Sequence, residues 1–320
     1  MRTLHHGALF SPLIAALCDS GMIPVEEDVM HTLRALLKTM RPKQWTKNGF
    51  IFAALIFDKK IFEPPYFWRT MAGFMLFSLV SGVVYILNDL TDIEKDRQHP
   101  RKRQRPLASG ALSPRLALGC AIVVGVLSLA AAFWLSVGFG LILVGYLVLQ
   151  IAYSLYFKNV VLLDIIIIAA GFVLRVAAGA ALVDAENFSP WLYICTTLLA
   201  LFLALGKRRG ELMLLGEEAG NHRESLQFYT CELLDQLISM VTSSTLVAYA
   251  LYTFSAPNLP KNHAMMLTVP FVIYGLFRYL YLVHAEGITL APDEVLLVDH
   301  PLQADLVLWA AMSAGILYLA

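Results

Sequence analysis

Charge is scarce in this 320-residue sequence. Asp, Glu, Lys and Arg make up 15% of it, against roughly 25% in an ordinary soluble domain. The signs also balance, with 24 Lys and Arg against 24 Asp and Glu, so there is no bulk positive charge of the kind that drives nucleic-acid binding. Cysteine is sparse too. Cys18, Cys120, Cys195 and Cys231 show no metal-ligand spacing and are too few for a disulfide scaffold, and no two of the eight histidines form an H-x-x-x-H pair. Ala8 to Leu17 is too short for a secretory signal, is broken by Pro12, and is followed by no small-residue cleavage site. Residues 1–30 are expected to form a cytosolic extension, with Met22 or Met30 as alternative starts. No repeat of 20–50 residues is visible, which counts against a transporter built from duplicated halves.

What the sequence has in abundance is apolar surface. Hydrophobic residues make up 58% of it, which excludes a disordered chain and is more than a water-facing shell accommodates. Lipid accepts what water rejects, and a spanning helix needs about 20 mostly apolar residues. Nine segments qualify: 46–63, 67–88, 113–134, 137–157, 160–183, 189–207, 234–255, 264–283 and 302–320. The expected fold class is therefore an all-α polytopic membrane protein. The breaks at 134–137 and 157–160 are so short that the helices they join must be antiparallel neighbours.

Orientation follows from the basic residues of short loops, which collect on the cytosolic side. One side of this topology carries 18 Lys and Arg and the other carries four, Lys59, Lys60, Arg69 and Lys261. The rich side holds the N-terminus and the loops after the second, fourth, sixth and eighth spans, and is assigned to the cytosol of a bacterial inner membrane.

The most informative stretch follows the second span, N-D-L-T-D-I-E-K-D over 88–96. Asn88, Asp92 and Asp96 recur every four residues, so a continuing helix sets them on one face with Asp89 beside them. Like charges at that spacing repel, and a divalent cation removes the repulsion. Mg²⁺ takes oxygen ligands and bridges one or two carboxylates to substrate phosphates. Arg97, Arg101, Lys102, Arg103 and Arg105 come next. Guanidinium groups bind phosphate oxygens two at a time. The pattern fits a Mg²⁺-bound diphosphate at the membrane surface.

This motif, followed by H-P-R-K-R-Q-R-P over 99–106, resembles the UbiA superfamily of intramembrane transferases. The resemblance runs from about residue 31 to the C-terminus and implies one transferase domain over 31–320, of about nine helices around a central cavity open to the cytosol. Most members move a prenyl group from a prenyl diphosphate to an aromatic ring and carry a second Asp-rich motif. Here the corresponding regions hold only Asp164, with Tyr153 and Lys158 before it, and Lys207, Arg208, Arg209 and Glu211 after the sixth span. R-P-K-Q-W-T-K-N (41–48), G-F-V-L-R-V-A-A-G (171–179) and A-L-G-K-R-R-G-E-L (204–212) are similar to the decaprenyl-phosphate phosphoribosyltransferase branch.

That branch implies Mg²⁺-dependent transfer of 5-phosphoribosyl from phosphoribosyl diphosphate to a polyprenyl phosphate, on the way to lipid-linked pentoses for envelope glycans. Three anionic groups must then be held at one site, which accords with the basic residues. The expected metal ligands are Asn88, Asp92 and Asp96, with both aspartates also catalytic. Asp164 is expected to stabilise charge on the ribose or bind its hydroxyls. Lys47 is the first choice for the lipid phosphate. Asn88, Lys102, Arg105, Tyr153, Lys158, Lys207, Arg208 and Glu211 complete the substrate-binding set.

Arg175 lies inside an apolar span. It either lines the cavity through a structural pair or touches substrate, and it is included in the substrate-binding set. Gly171 and Gly179 read as close helix contacts. His99 is placed either toward the phosphates or in a loop role. Expected partners are the two substrates and the lipid bilayer, with no nucleic acid and with a homo-oligomer left open. The alternatives are aromatic prenyl transfer and, from another class, a lipid carrier or transporter.

Overall fold

A computed structural model describes residues 26–98, 102–185, 189–216, 224–290 and 292–319. The expected extension up to residue 25, His99 and Arg101 lie outside these residues. The described residues are helical, with no strand among them. In chain order the α-helices are α1 (Glu26–Met40), α2 (Phe52–Phe57), α3 (Pro64–Thr91), α4 (Ile93–Gln98), α5 (Pro114–Leu135), α6 (Val137–Leu155), α7 (Leu163–Leu182), α8 (Pro190–Leu215), α9 (Cys231–Ser255), α10 (Val269–His284), α11 (Pro292–Val298) and α12 (His300–Leu319). A 3₁₀ segment spans Pro42–Ile51.

Among the described residues, eight helices are long and apolar enough to cross a membrane. They coincide with eight of the nine expected spans. The remaining segment, 46–63, differs: it is the second half of the 3₁₀ helix, the six-residue α2, and a break at Asp58–Glu63. The cause is polar sequence at the start of the run. Asn48 is buried and bonded through its side chain to Ser78 on one side and Arg175 on the other.

Local signals account for the helix ends. Proline stands at or next to the first position of α3, α5, α8 and α10, where its missing N–H costs nothing. Ser136 caps α6 by accepting the Phe139 N–H, and Thr230 caps α9 by accepting the Leu233 N–H. The two-helix turn at Ser136 is as tight as the sequence requires, with the Phe133 ring laid over Gly140. Ile122, Val126, Leu127 and Trp134 on α5 remain exposed, an apolar surface that belongs in lipid.

The chain gathers into two compact units. One comprises residues up to Lys43 with Ser81–Gly125, and the other comprises Gln44–Val80 with Val126 onward. In the first, the end of α1 packs Met40 against Gly82 of α3. In the second, a core of Ile165, Phe202, Leu205, Leu234, Ile238 and Leu282 joins α7, α8, α9 and α10.

Gly179 of α7 lies directly against the 3₁₀ segment: a Cβ there would overlap the Ile51 carbonyl oxygen. Backbone cannot rotate away, so Gly179→Ala must displace the 3₁₀ segment. We expect it to cost about 1–3 kcal/mol and to lower the thermal midpoint of detergent-solubilised protein. Gly73→Ala is the control. Its Cβ would meet only the methyl end of Leu182, which can move. Equal midpoints for the two variants would refute the backbone-contact explanation.

Candidate active site

The first polar region lies within the first unit. α3 ends at Thr91, Asp92 occupies a turn, and α4 resumes at Ile93. The expected continuous helix is thus interrupted, although Asp92 N–H still donates to Asn88 O (3.1 Å) and Asp96 N–H to Asp92 O (2.8 Å). Asn88 and Asp92 are half-buried, whereas Asp89 and Asp96 are 2% and 4% exposed.

The two buried carboxylates share Arg105. Its Nη1 lies 3.1 Å from Asp89 Oδ1 and 2.7 Å from Asp96 Oδ2. Arg41 Nη2 reaches the same Asp89 oxygen at 2.5 Å. Arg41 stands just past the end of α1 with φ 52, and its guanidinium lies 4.7 Å from the Tyr85 ring centroid. The region is therefore a buried acidic pair neutralised by two arginines from distant parts of the chain. Asp89, which the helical spacing placed at the margin of the motif, is held by both arginines. Lys102 is half-buried in a short 3₁₀ turn preceding Arg105.

The donors here, an amide and carboxylates, offer only oxygen, which is the chemistry Mg²⁺ selects. Among the described residues no three acidic, His or Cys side chains converge as a complete metal cage. Mg²⁺ asks less than that, since phosphate and water supply the remaining positions when one or two carboxylates are present. The residue types thus fit the ion.

The second polar region lies within the second unit, where the end of α6, the start of α7, the last turns of α8 and residues 224–230 meet. Asp164 is fully buried. Its Oδ1 accepts from the Tyr229 hydroxyl at 2.8 Å, and its Oδ2 accepts from Arg208 Nε at 2.9 Å and Ser225 Oγ at 3.3 Å. Arg208, 2% exposed, also pairs with Glu211 one turn along α8. Burial, reinforced by the Asp164 carboxylate, pushes the Tyr229 phenol far above its ordinary pKa, so it stays a donor to Asp164. Both Asp164 oxygens are thus turned to protein donors, where the sequence reading aimed them at ribose.

Tyr153, in the last turn of α6, and Lys158, in the turn between α6 and α7, flank this network half-buried, and Lys207 stands exposed one residue before Arg208. Arg209 turns elsewhere, pairing with Asp235 at 2.5 Å. Ser225 and Tyr229 belong to no motif, and nothing in their sequence neighbourhood marks them.

Arg175 is buried and spends its donors on neutral acceptors. Nε donates to Asn48 Oδ1 (2.8 Å), Nη1 to Gly171 O (2.7 Å) and Nη2 to Tyr146 OH (3.0 Å). The Tyr146, Phe172 and Phe77 rings lie 5.0–5.4 Å from its guanidinium carbon. These bonds are structural ones, each to a neutral acceptor. Lys47, half-buried, is carried by the same 3₁₀ segment as Asn48.

A profile of the UbiA prenyltransferase family matches residues 49–289. The chain belongs to the UbiA prenyltransferase family. It is a multi-pass membrane transferase. The decaprenyl-phosphate phosphoribosyltransferase of Mycolicibacterium smegmatis is 30% identical over 299 residues, covering 90% of this chain and 94% of that one. The protein of the same name from Corynebacterium glutamicum is 32% identical over 285 residues, covering 86% and 84%. Among solved structures, a UbiA homolog from Archaeoglobus fulgidus bound to GPP and Mg²⁺ superimposes with a TM-score of 0.69 at 21% identity, over 88% of this chain and 99% of that one. The fold is thus that of the UbiA family, as the motifs around Asp89 imply.

Proposed function

We propose that this protein transfers 5-phosphoribosyl from phosphoribosyl diphosphate to a polyprenyl phosphate of decaprenyl type, releasing pyrophosphate. The observation that carries the reading is the second polar region. Its one carboxylate at the start of α7, Asp164, is committed to Arg208, with Lys158 and Lys207 close by in sequence. A site arranged this way favours substrates rich in phosphate over a second metal-bound diphosphate. The names of relatives similar over about nine-tenths of the chain support the same substrates.

In this reading residues 31–320 form one catalytic domain in a bacterial inner membrane, with the polar regions facing the cytosol. Asn88, Asp92 and Asp96 would hold Mg²⁺, which neutralises the diphosphate and improves it as a leaving group. Arg105 and Lys102 take the outer phosphate charge. Lys158 and Lys207 hold the 5-phosphate or the departing pyrophosphate. Lys47 orients the lipid phosphate. The C1–O bond to pyrophosphate breaks as an acceptor phosphate oxygen bonds to C1. That oxygen is already anionic, so no general base is needed. Asp164 acts at one remove, by fixing Arg208. The product feeds lipid-linked pentose for envelope glycan synthesis.

The test is product analysis. Purified protein with Mg²⁺, polyprenyl phosphate and labelled phosphoribosyl diphosphate should yield a lipid-soluble phosphoribosyl product. A parallel arm supplies a prenyl diphosphate and an aromatic acceptor. Turnover only in that arm would replace this reading with the aromatic prenyl transfer of the wider family.

A further inference from the structure

The turn before Asp164 adopts a backbone that leucine rarely enters. Leu162 has φ 66 and ψ −40, and the Leu163 N–H donates to the Val161 carbonyl at 2.8 Å. This is the positive-φ γ-turn, a rare and strained form, and a bulky residue there is an outlier. Packing does not hold it in place, because the Leu162 side chain is 47% exposed. Hydrogen bonds from elsewhere in the chain do. The Leu162 N–H donates to the Tyr229 hydroxyl at 2.8 Å, and that hydroxyl donates onward to Asp164 Oδ1 at 2.8 Å. Four residues earlier, the Lys158 carbonyl accepts from Ser225 Oγ at 3.2 Å. The Lys158–Asp164 turn is therefore tied at both ends to residues 225–229, which are far off in sequence. Strain of this kind persists where surrounding groups over-determine it, and it gathers at functional sites.

We infer that Tyr229, assisted by Ser225, is a positioning residue: it holds the strained turn that presents Lys158 and Asp164, and through them sets the binding of the donor's phosphates. The inference rests on the phosphoribosyl-transfer reading above. A phenol suits the task because one oxygen both accepts the Leu162 N–H and donates to the carboxylate. Phenylalanine keeps the ring in the core and loses both bonds.

The experiment compares wild type, Tyr229→Phe and Leu162→Gly/Tyr229→Phe as full-length detergent-solubilised proteins. Steady-state kinetics with phosphoribosyl diphosphate is one readout. Hydrogen exchange of the 156–166 amides without substrate is the other. Tyr229→Phe should raise KM about tenfold, the scale of one or two hydrogen bonds, while kcat changes less than about threefold. Exchange in the turn should quicken about tenfold or more. Glycine enters positive φ without strain, so the double variant should recover most of the lost KM.

Unchanged KM and exchange in Tyr229→Phe would overturn the inference. So would a lower thermal midpoint with KM unmoved, or a KM defect that Leu162→Gly leaves unrelieved, since both describe an ordinary structural contact. If wild type turns over no phosphoribosyl diphosphate, the substrate half falls together with the reading it rests on. The substrate-free exchange data separate that failure from a failure of the turn itself.

Discussion

Asp164→Asn should reduce turnover by about two orders of magnitude or more while the protein remains inserted and folded. The carboxylate is fully buried and holds Arg208, itself 2% exposed, along with Tyr229 and Ser225. Asparagine keeps the shape and one acceptor oxygen but discards the charge, leaving Arg208 to Glu211 alone. A shift of even about 1 Å in a positioning network can cost about 10²-fold in rate. Asp164→Ala also removes the acceptor oxygens that the Tyr229 hydroxyl and Arg208 Nε use in the interior, a further loss of about 1–3 kcal/mol. The pair of variants separates the two effects: both lower kcat/KM, and the second lowers the thermal midpoint further than the first. If Asp164→Asn retains most of the wild-type activity, Asp164 has no part in the reaction.

The second large effect concerns the first polar region, where two aspartates three residues apart should fail differently. Asp89→Ala strips the shared partner from Arg41 and Arg105. Those side chains are 30% and 28% exposed, so water offsets part of the loss. The expected destabilisation is about 2–3 kcal/mol, below the range for fully buried pairs. Asp92→Ala is half-buried and lies in the turn between α3 and α4. It should leave the thermal midpoint nearly unchanged and raise the Mg²⁺ needed for half-maximal activity by about tenfold or more, the scale of one lost charged ligand. Mg²⁺ titration of activity beside thermal unfolding reads both. An unchanged Mg²⁺ requirement in Asp92→Ala would remove Asp92 from the ligand set.

The contrast between these aspartates shows where one-dimensional reading stops. Helical spacing singled out Asn88, Asp92 and Asp96 because it assumes a straight helix. The helical hydrogen bonds carry through the turn at Asp92, yet the buried positions fall to Asp89 and Asp96, which stand two turns apart along one side of the helix. Arg105 belongs to the basic run that the spacing points at phosphate, and it also bridges two carboxylates. Arg41 opens the R-P-K-Q-W-T-K-N motif, and its partner lies 48 residues away. Arg175 offers a similar lesson. An arginine in an apolar span must find partners, so its burial was expected. That those partners would be an amide, a backbone carbonyl, a phenol and three ring faces could not be read from its neighbours.

Hydropathy is a local property summed over about 20 residues, and it determined the membrane class, eight of the spans and the two polar regions that interrupt them. The motif around Asn88–Asp96 is local too, and it determined the family. Which charges meet is not local. Arg208 with Asp164, Tyr229 with Leu162, and Arg105 between Asp89 and Asp96 join residues 9 to 67 positions apart. Only helix packing brings such groups within the 3 Å or so that a hydrogen bond requires. The tertiary structure therefore decided that Asp164, the carboxylate expected to face the sugar, is buried and bonded to an arginine from another helix.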